Sequence, residues 1–171
     1  MIGSGIPEAQ HILGLKYTEG VGVEKDYELA IEWYEKAVKN GFAGSANNLG
    51  TLHEKGTGVE KNFEKAFYYY KLASQWGDTQ AMQNLANLYF SAKGTGSIIP
   101  SEDDIAEGMK WLRIASEKGN LVAERFLESR EKMTENEVKV DTMKNLLFPK
   151  LPPEANPLDQ EQYGKAVRVR L

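Results

Sequence analysis

The chain of 171 residues has no cysteine and only two histidines, His11 and His53. The first absence rules out a disulfide framework and a thiolate metal site. No H-x-x-x-H or H-E-x-x-H spacing occurs either, so no metal and no cofactor is expected. Lysine and arginine form no block, and the formal net charge is −4. A nucleic-acid face needs clustered cations to displace counterions, so no nucleic-acid partner is expected. There is no run of about 18 apolar residues, which speaks against a spanning helix and a membrane partner. The opening MIGSGIPEA has neither a basic nor an apolar signal region, and the expectation is a cytoplasmic location. Proline is sparse: four of its six occurrences, Pro149, Pro152, Pro153 and Pro157, share one short stretch.

What is present is an ordinary soluble composition, 41% apolar and 27% charged, written as a repeat. Residues 49–77 restate residues 13–41: Leu13 meets Leu49, Gly14 meets Gly50, Gly20 meets Gly56 and Gly22 meets Gly58. Val23-Glu24-Lys25 recurs as Val59-Glu60-Lys61, Tyr34 as Tyr70, Ala37 as Ala73 and Gly41 as Gly77. Self-similarity at one period in this range marks a stacked helical array.

Each period reads as two helices. Pro7 suits the first turn of the opening helix, where its missing N–H costs nothing. Ala9, Leu13 and Tyr17 form the apolar stripe of that helix, and Ser45, Leu49 and His53 the stripe of its copy. Asp26 and Asn62 are N-caps for the second helices, whose shared faces carry Ala30, Trp33, Tyr34 and Ala37, then Ala66, Tyr69, Tyr70 and Ala73. A third period starts from Asp78 with Ala81, Leu85 and Tyr89. Its loop reads as late, Gly94-Thr95-Gly96 arriving two residues behind register and Ser97–Pro100 adding four more. Ser101 through Asp104 then gives a cap with an acidic first turn. A fourth copy begins at Ala123 and Leu127 and fails, which predicts a lid helix over about 120–133. Thr134-Glu135-Asn136-Glu137 reads as a second capping box opening a further short helix. The reading is therefore repeats over about 5–41, 42–77 and 78–119, a partial fourth over 120–127, capping helices over 128–148, and a Pro-containing flexible tail over 149–171.

These residues resemble the SEL-one-like repeat (SLR), a relative of the tetratricopeptide repeat: Ala, Leu-Gly, Tyr, Gly-x-Gly-Val, Asp, Ala, Trp-Tyr, Ala and Gly over about 36 residues. Periods one and two match almost throughout; the third has Ala86 for glycine and the stretched loop. The resemblance covers about residues 5–127 and implies an all-α fold, a right-handed α-α superhelix of the tetratricopeptide and SEL-one-like type. It also implies a non-catalytic scaffold or adaptor that binds a protein or peptide, as a monomer or weak homo-oligomer. Glycines at 14 and 50 sit mid-helix, each at a cost of about 1 kcal/mol relative to alanine, which suggests a neighbouring helix backbone passing close by.

Other readings carry less. Gly20-Val-Gly22 and Gly56-Thr-Gly58 lack the preceding strand and the Gly-Lys-Ser/Thr of a phosphate loop. Trp33-Tyr34, Tyr69-Tyr70 and Trp111 fall on core positions, Tyr68 off the stripe. His53 occupies a tyrosine position, which favours a core role. The terminal Val169-Arg170-Leu171 alternates apolar and basic, as a strand added to a partner's sheet edge would. In tetratricopeptide-like stacks the first helices line the concave side, and the resemblance places there His11, Leu15 and Thr18; Asn47, Thr51 and Glu54; and Gln83, Asn87 and Phe90. Amides, hydroxyls and small apolar groups are the chemistry that grips an extended peptide. Two alternatives stand beside the adaptor. One is a structural block that self-associates or extends a longer array through an uncovered first helix. The other is a hydrolase of the cysteine-rich SLR type, against which the missing cysteines speak.

Overall fold

The computed structural model describes residues 6–95 and 99–147. Among them are seven helices and no strand: α1 Pro7–Glu19, α2 Tyr27–Lys39, α3 Ala43–Lys55, α4 Phe63–Gln75, α5 Thr79–Phe90, α6 Glu102–Glu117 and α7 Leu121–Leu147. The chain divides into two units, Met1–Leu127 and Glu128–Leu171. The first is an all-α helical repeat superhelix built from three helix pairs and the first turns of α7.

The helix starts are set locally. Asp26 accepts from the Leu29 amide at 3.0 Å, Asn62 from Lys65 at 2.8 Å and Asp78 from Ala81 at 2.7 Å. Ser101 and Asp104 cap reciprocally, the serine hydroxyl taking the Asp104 amide and the carboxylate taking the Ser101 amide. Each satisfies amide donors that the helix itself leaves unpaired. Asn120 starts α7 by accepting from Val122 and Ala123, and its Nδ2 reaches the Thr79 carbonyl at 3.0 Å, tying this start to that of α5.

The turn that follows each first helix corrects the expected register. Gly20 and Gly56 hold φ of 76° and 72°, and the next amide bonds back across the turn, Val21 to Lys16 and Thr57 to Leu52. In the third pair Lys93 makes the same bond to Leu88 at 3.0 Å, and the left-handed position is held by Ala92, φ 53°. Ala92 thus stands at the place of Gly56, and Gly94 at the place of Gly58, so the turn is not late. The extra residues all come after Gly94. Some lengthen the loop, and the rest lengthen the helix, α6 having 16 residues where α4 has 13.

The mid-helix glycines answer to side chains rather than to a neighbouring backbone. A Cβ on Gly50 would lie 2.6 Å from ring atoms of Tyr70, and one on Gly14 would overlap Tyr34. Both tyrosines are 1% exposed, so the ring has nowhere to go. The third pair exchanges both partners: Ala86 stands for the glycine and Leu112 for the tyrosine, each buried in one cluster with Met82, Ala115 and Ala123. There the large ring comes from the first helix instead, and Phe90 lies against Gly108, where a Cβ would meet it at 2.5 Å.

The core is a chain of such clusters. Ala30 and Tyr34 pack with Leu49 and Leu52; Ala66, Tyr70 and Ala73 pack with Ala81, Leu85 and Leu88; Leu112 and Ala115 pack with Met82 and Ala123. Each second helix is therefore covered by the next first helix, and α7 supplies the last cover through Ala123 and Leu127. Ala9, on the first of the described helices, is exposed. The helix break expected at Thr134 is absent: α7 continues to Leu147, and the Thr134 hydroxyl donates to the Glu131 carbonyl at 2.8 Å. No glycine or proline precedes Thr134 to stop the helix, so the hydroxyl is used inside it. The tail expected over 149–171 lies outside the described residues.

Gly50→Ala should destabilise the protein by about 1–3 kcal/mol despite alanine's better helix propensity, because the ring is overpacked. Combined with Tyr70→Leu, which copies the third pair, the loss should be smaller than the sum of the single losses by more than about 1 kcal/mol. Urea unfolding of the four proteins reads both numbers, and strict additivity would refute the coupling.

Candidate functional site

The first helices α1, α3 and α5 carry the nine residues expected to face a partner, and the structure gives each a distinct setting. Thr18 donates to the Gly14 carbonyl at 2.8 Å, and its hydroxyl lies 3.1 Å from that of Tyr34. One repeat on, Thr51 repeats the contact with Tyr70 at 3.1 Å, and the Tyr70 hydroxyl also donates to Glu54 at 2.7 Å. The same tyrosine whose ring requires the glycine thus reaches the first-helix surface with its hydroxyl. Burial pushes the Tyr70 hydroxyl far above the usual phenol range, and the nearby Glu54 carboxylate adds to the shift. The hydroxyl stays a donor, and it fixes the Glu54 carboxylate in place.

Asn47 and Asn84 join neighbouring first helices directly, the Asn84 amide donating to the Asn47 oxygen at 3.0 Å. Asn87 is exposed. Leu15 packs into the cluster of Leu49 and Leu52. The Oε1 of Gln83 is enclosed without a hydrogen-bond partner. His11 and Phe90 are drawn into packing. The His11 ring lies 4.7 Å from that of Phe42, and its Nδ1 is 2.9 Å from the Ser45 hydroxyl. Phe90 stacks on Phe126 at 5.8 Å. The row therefore brings together Asn47, Thr51, Glu54 and Asn84 as a bonded set, leaves Asn87 open, and uses His11 and Phe90 to hold helices against each other.

The side chain of Asn84 thus finds its partner in the preceding repeat. A second concave feature has no counterpart in the sequence reading. A cavity of about 500 Å³ opens between α2 and α4 beside His53 and Val59. His53 is buried as its stripe position requires, stacks on Tyr69 with ring centroids 5.7 Å apart, and has an enclosed Nδ1 without a partner. Among the described residues no group of three or more His, Asp or Glu could hold a metal ion. No helix among them is long and apolar enough to cross a membrane.

A family model described as the Sel1 repeat matches residues 7–42, 43–78 and 79–120. The chain belongs to the Sel1 repeat family. Among solved structures, a Sel1 repeat protein from Oxalobacter formigenes is 36% identical with a TM-score of 0.62, over 68% of this chain and 46% of that one. A protective antigen of uropathogenic Escherichia coli displaying an SLR fold is 29% identical with a TM-score of 0.63, over 70% of this chain and 24% of that one. This chain thus spans less than half the length of either relative. Cysteine rich protein B of Helicobacter pylori, 20% identical with a TM-score of 0.56 over 68% of this chain and 85% of that one, shares the fold. A comparison with curated proteins gives no match. Sel1 repeat proteins generally mediate protein–protein interaction and are generally non-catalytic scaffolds.

Burial lowers the pKa of both histidines below the ordinary 6.5; Asp78 opposes the shift at His11, while Lys65 adds to it at His53 against Glu35 and the Glu60 backbone. The unfolded chain therefore binds more protons than the folded one once the pH drops below about 6.5, and stability falls with it. Above that value the contribution is fully present. Urea midpoints measured from pH 7.5 down to 5.5 should decline, and His11→Gln/His53→Tyr should flatten the decline. An unchanged slope in the variant would assign the pH dependence to other groups.

Proposed function

We propose that this Sel1 repeat protein is a non-catalytic adaptor that binds an extended segment of a protein partner along its first-helix row. The observation that supports the reading most is the Asn47–Asn84 bond, which links the first helices of two repeats into one polar surface. Asn87 extends that surface by one turn of α5 with an exposed amide. An amide offers a donor and an acceptor together, which is the match for a peptide backbone. Glu54, held by Tyr70, adds a fixed carboxylate at the same level. Leu15, Thr18, Thr51, Gln83, His11 and Phe90 shape the surface from behind it.

Affinity capture from the source cell, followed by mass spectrometry, compares wild type with Asn47→Arg/Asn87→Arg. The variant should lose a partner that the wild type retains, while melting only a few degrees lower, since the lost Asn47–Asn84 bond contributes about 1 kcal/mol. Identical partner sets would send the search to another face.

A second reading, self-association, is favoured by Leu121 and Val122, which are 63% and 56% exposed at the start of α7. Sedimentation over a concentration series distinguishes it, a single monomeric species ruling it out.

A further inference from the structure

The lining of the cavity between α2 and α4 is not repeated at the next junction. At the next junction the equivalent places are taken by larger groups: Phe67 for Ile31, Tyr89 for His53 and Trp111 for Tyr69. There Phe67 meets Tyr89 edge to face at 5.0 Å. With its three smaller side chains the first junction has a cavity of about 500 Å³, a volume typical of ligand pockets, about 300–1,000 Å³.

The charge differs as well. Lys71 and Lys110 occupy, at the second junction, the positions held by Glu35 and Tyr68 at the first. Lys110 is paired there with Glu107 at 3.0 Å, the only ion pair among the described residues. Glu35 and Glu64, which line the cavity, are thus exposed carboxylates with no cation of their own. The Tyr68 ring lines the same cavity, 61% exposed and set edge to face on Tyr69 at 5.3 Å. Elsewhere the protein covers aromatic rings with its own lysines: Lys36 lies over Trp33 at 4.2 Å, and Lys61 and Lys93 both lie over Phe63. Tyr68 has no such cover among the described residues.

We propose that this cavity receives an arginine side chain presented by a partner protein. Its aliphatic stem lies on Ile31 and Val59, and its planar guanidinium faces the Tyr68 ring and pairs with Glu35 and Glu64. A guanidinium suits this combination better than an ammonium, because it stacks on an aromatic face and offers forked donors to carboxylates. Burial keeps the His53 ring neutral at the back of the site, so it does not repel the guest. Lys65, at the rim, does repel it and sets the affinity below its maximum. This inference is independent of the first-helix row, none of whose nine residues lines the cavity.

The test uses two synthetic hexapeptides, Gly-Ser-Gly-Arg-Gly-Ser and the same sequence with citrulline, the neutral isostere, in place of arginine. Each is titrated into ¹⁵N-labelled full-length protein and followed by amide shifts. The arginine peptide should produce saturable shifts centred on Val59, Glu64 and Tyr68, and the citrulline peptide should bind at least about tenfold more weakly. Glu35→Gln/Glu64→Gln, both at exposed positions, should abolish the shifts with the melting temperature unchanged. Lys65→Met should tighten binding about threefold by removing the like charge. Asn47→Arg/Asn87→Arg should leave this binding intact. Equal affinity for the two peptides, or full binding by the double Gln variant, would overturn the proposal. Free L-arginine binding more tightly than the peptide would overturn it too, making the site one for a small molecule.

Discussion

The contact on which the repeat unit depends is the one between a missing methyl and a tyrosine ring. Gly14 gives space to Tyr34 and Gly50 to Tyr70, and each ring lies flat on its partner helix only because no Cβ is there. These two tyrosines are the largest fully buried side chains of the first two pairs. It also fixes where the phenol oxygen emerges, so Thr18, Thr51 and Glu54 are positioned by the core and not by their own helix alone. Core and surface are joined through one side chain.

Because each cluster mixes residues of one second helix with those of the next first helix, stability is passed from neighbour to neighbour. Such a chain tolerates variation inside a junction as long as that junction fills its own volume. The two junctions differ in this respect. Phe67 and Tyr89 meet edge to face at one, while Ile31 and His53 line a cavity at the other.

Much of this was legible in the sequence because it is either local or periodic. The caps at Asp26, Asn62, Asp78 and Ser101 need only the next three residues, and the 36-residue period placed Leu49 and Leu85 on their apolar stripes, with Ala123, 42 residues after Ala81, opening the failed fourth copy. The glycine contact was not legible in the same way: spacing shows that Gly14 is retained, but not that its neighbour is the Tyr34 ring. The third turn was misread because glycine was taken as the marker of the left-handed position. Counting one period from Gly58 gives Gly94 and assigns that position to Ala92, which composition does not flag. Thr134 has the pattern of a capping box, yet an amphipathic-neutral run without a breaker continues as helix. The cavity was hidden because it arises from differences in side-chain volume between equivalent positions, which no single motif records. The first-helix row could be located by register, whereas the bonding of Thr51 and Glu54 to Tyr70 depends on how deep that tyrosine sits.

The exchange of Gly and Tyr for Ala86 and Leu112 also constrains how such arrays diverge. Neither partner can change alone without a defect: the added methyl collides with an immobile ring, and the shortened ring leaves a void above the glycine. A void is the softer defect, because surrounding side chains can lean into it while a buried ring cannot lean away. A step from Gly and Tyr to Ala and Leu is therefore easier with the ring shortened first and the methyl added second. The third pair, with Ala86 and Leu112, has no phenol to carry core position to the surface. Repeats one and two have that link and the third does not.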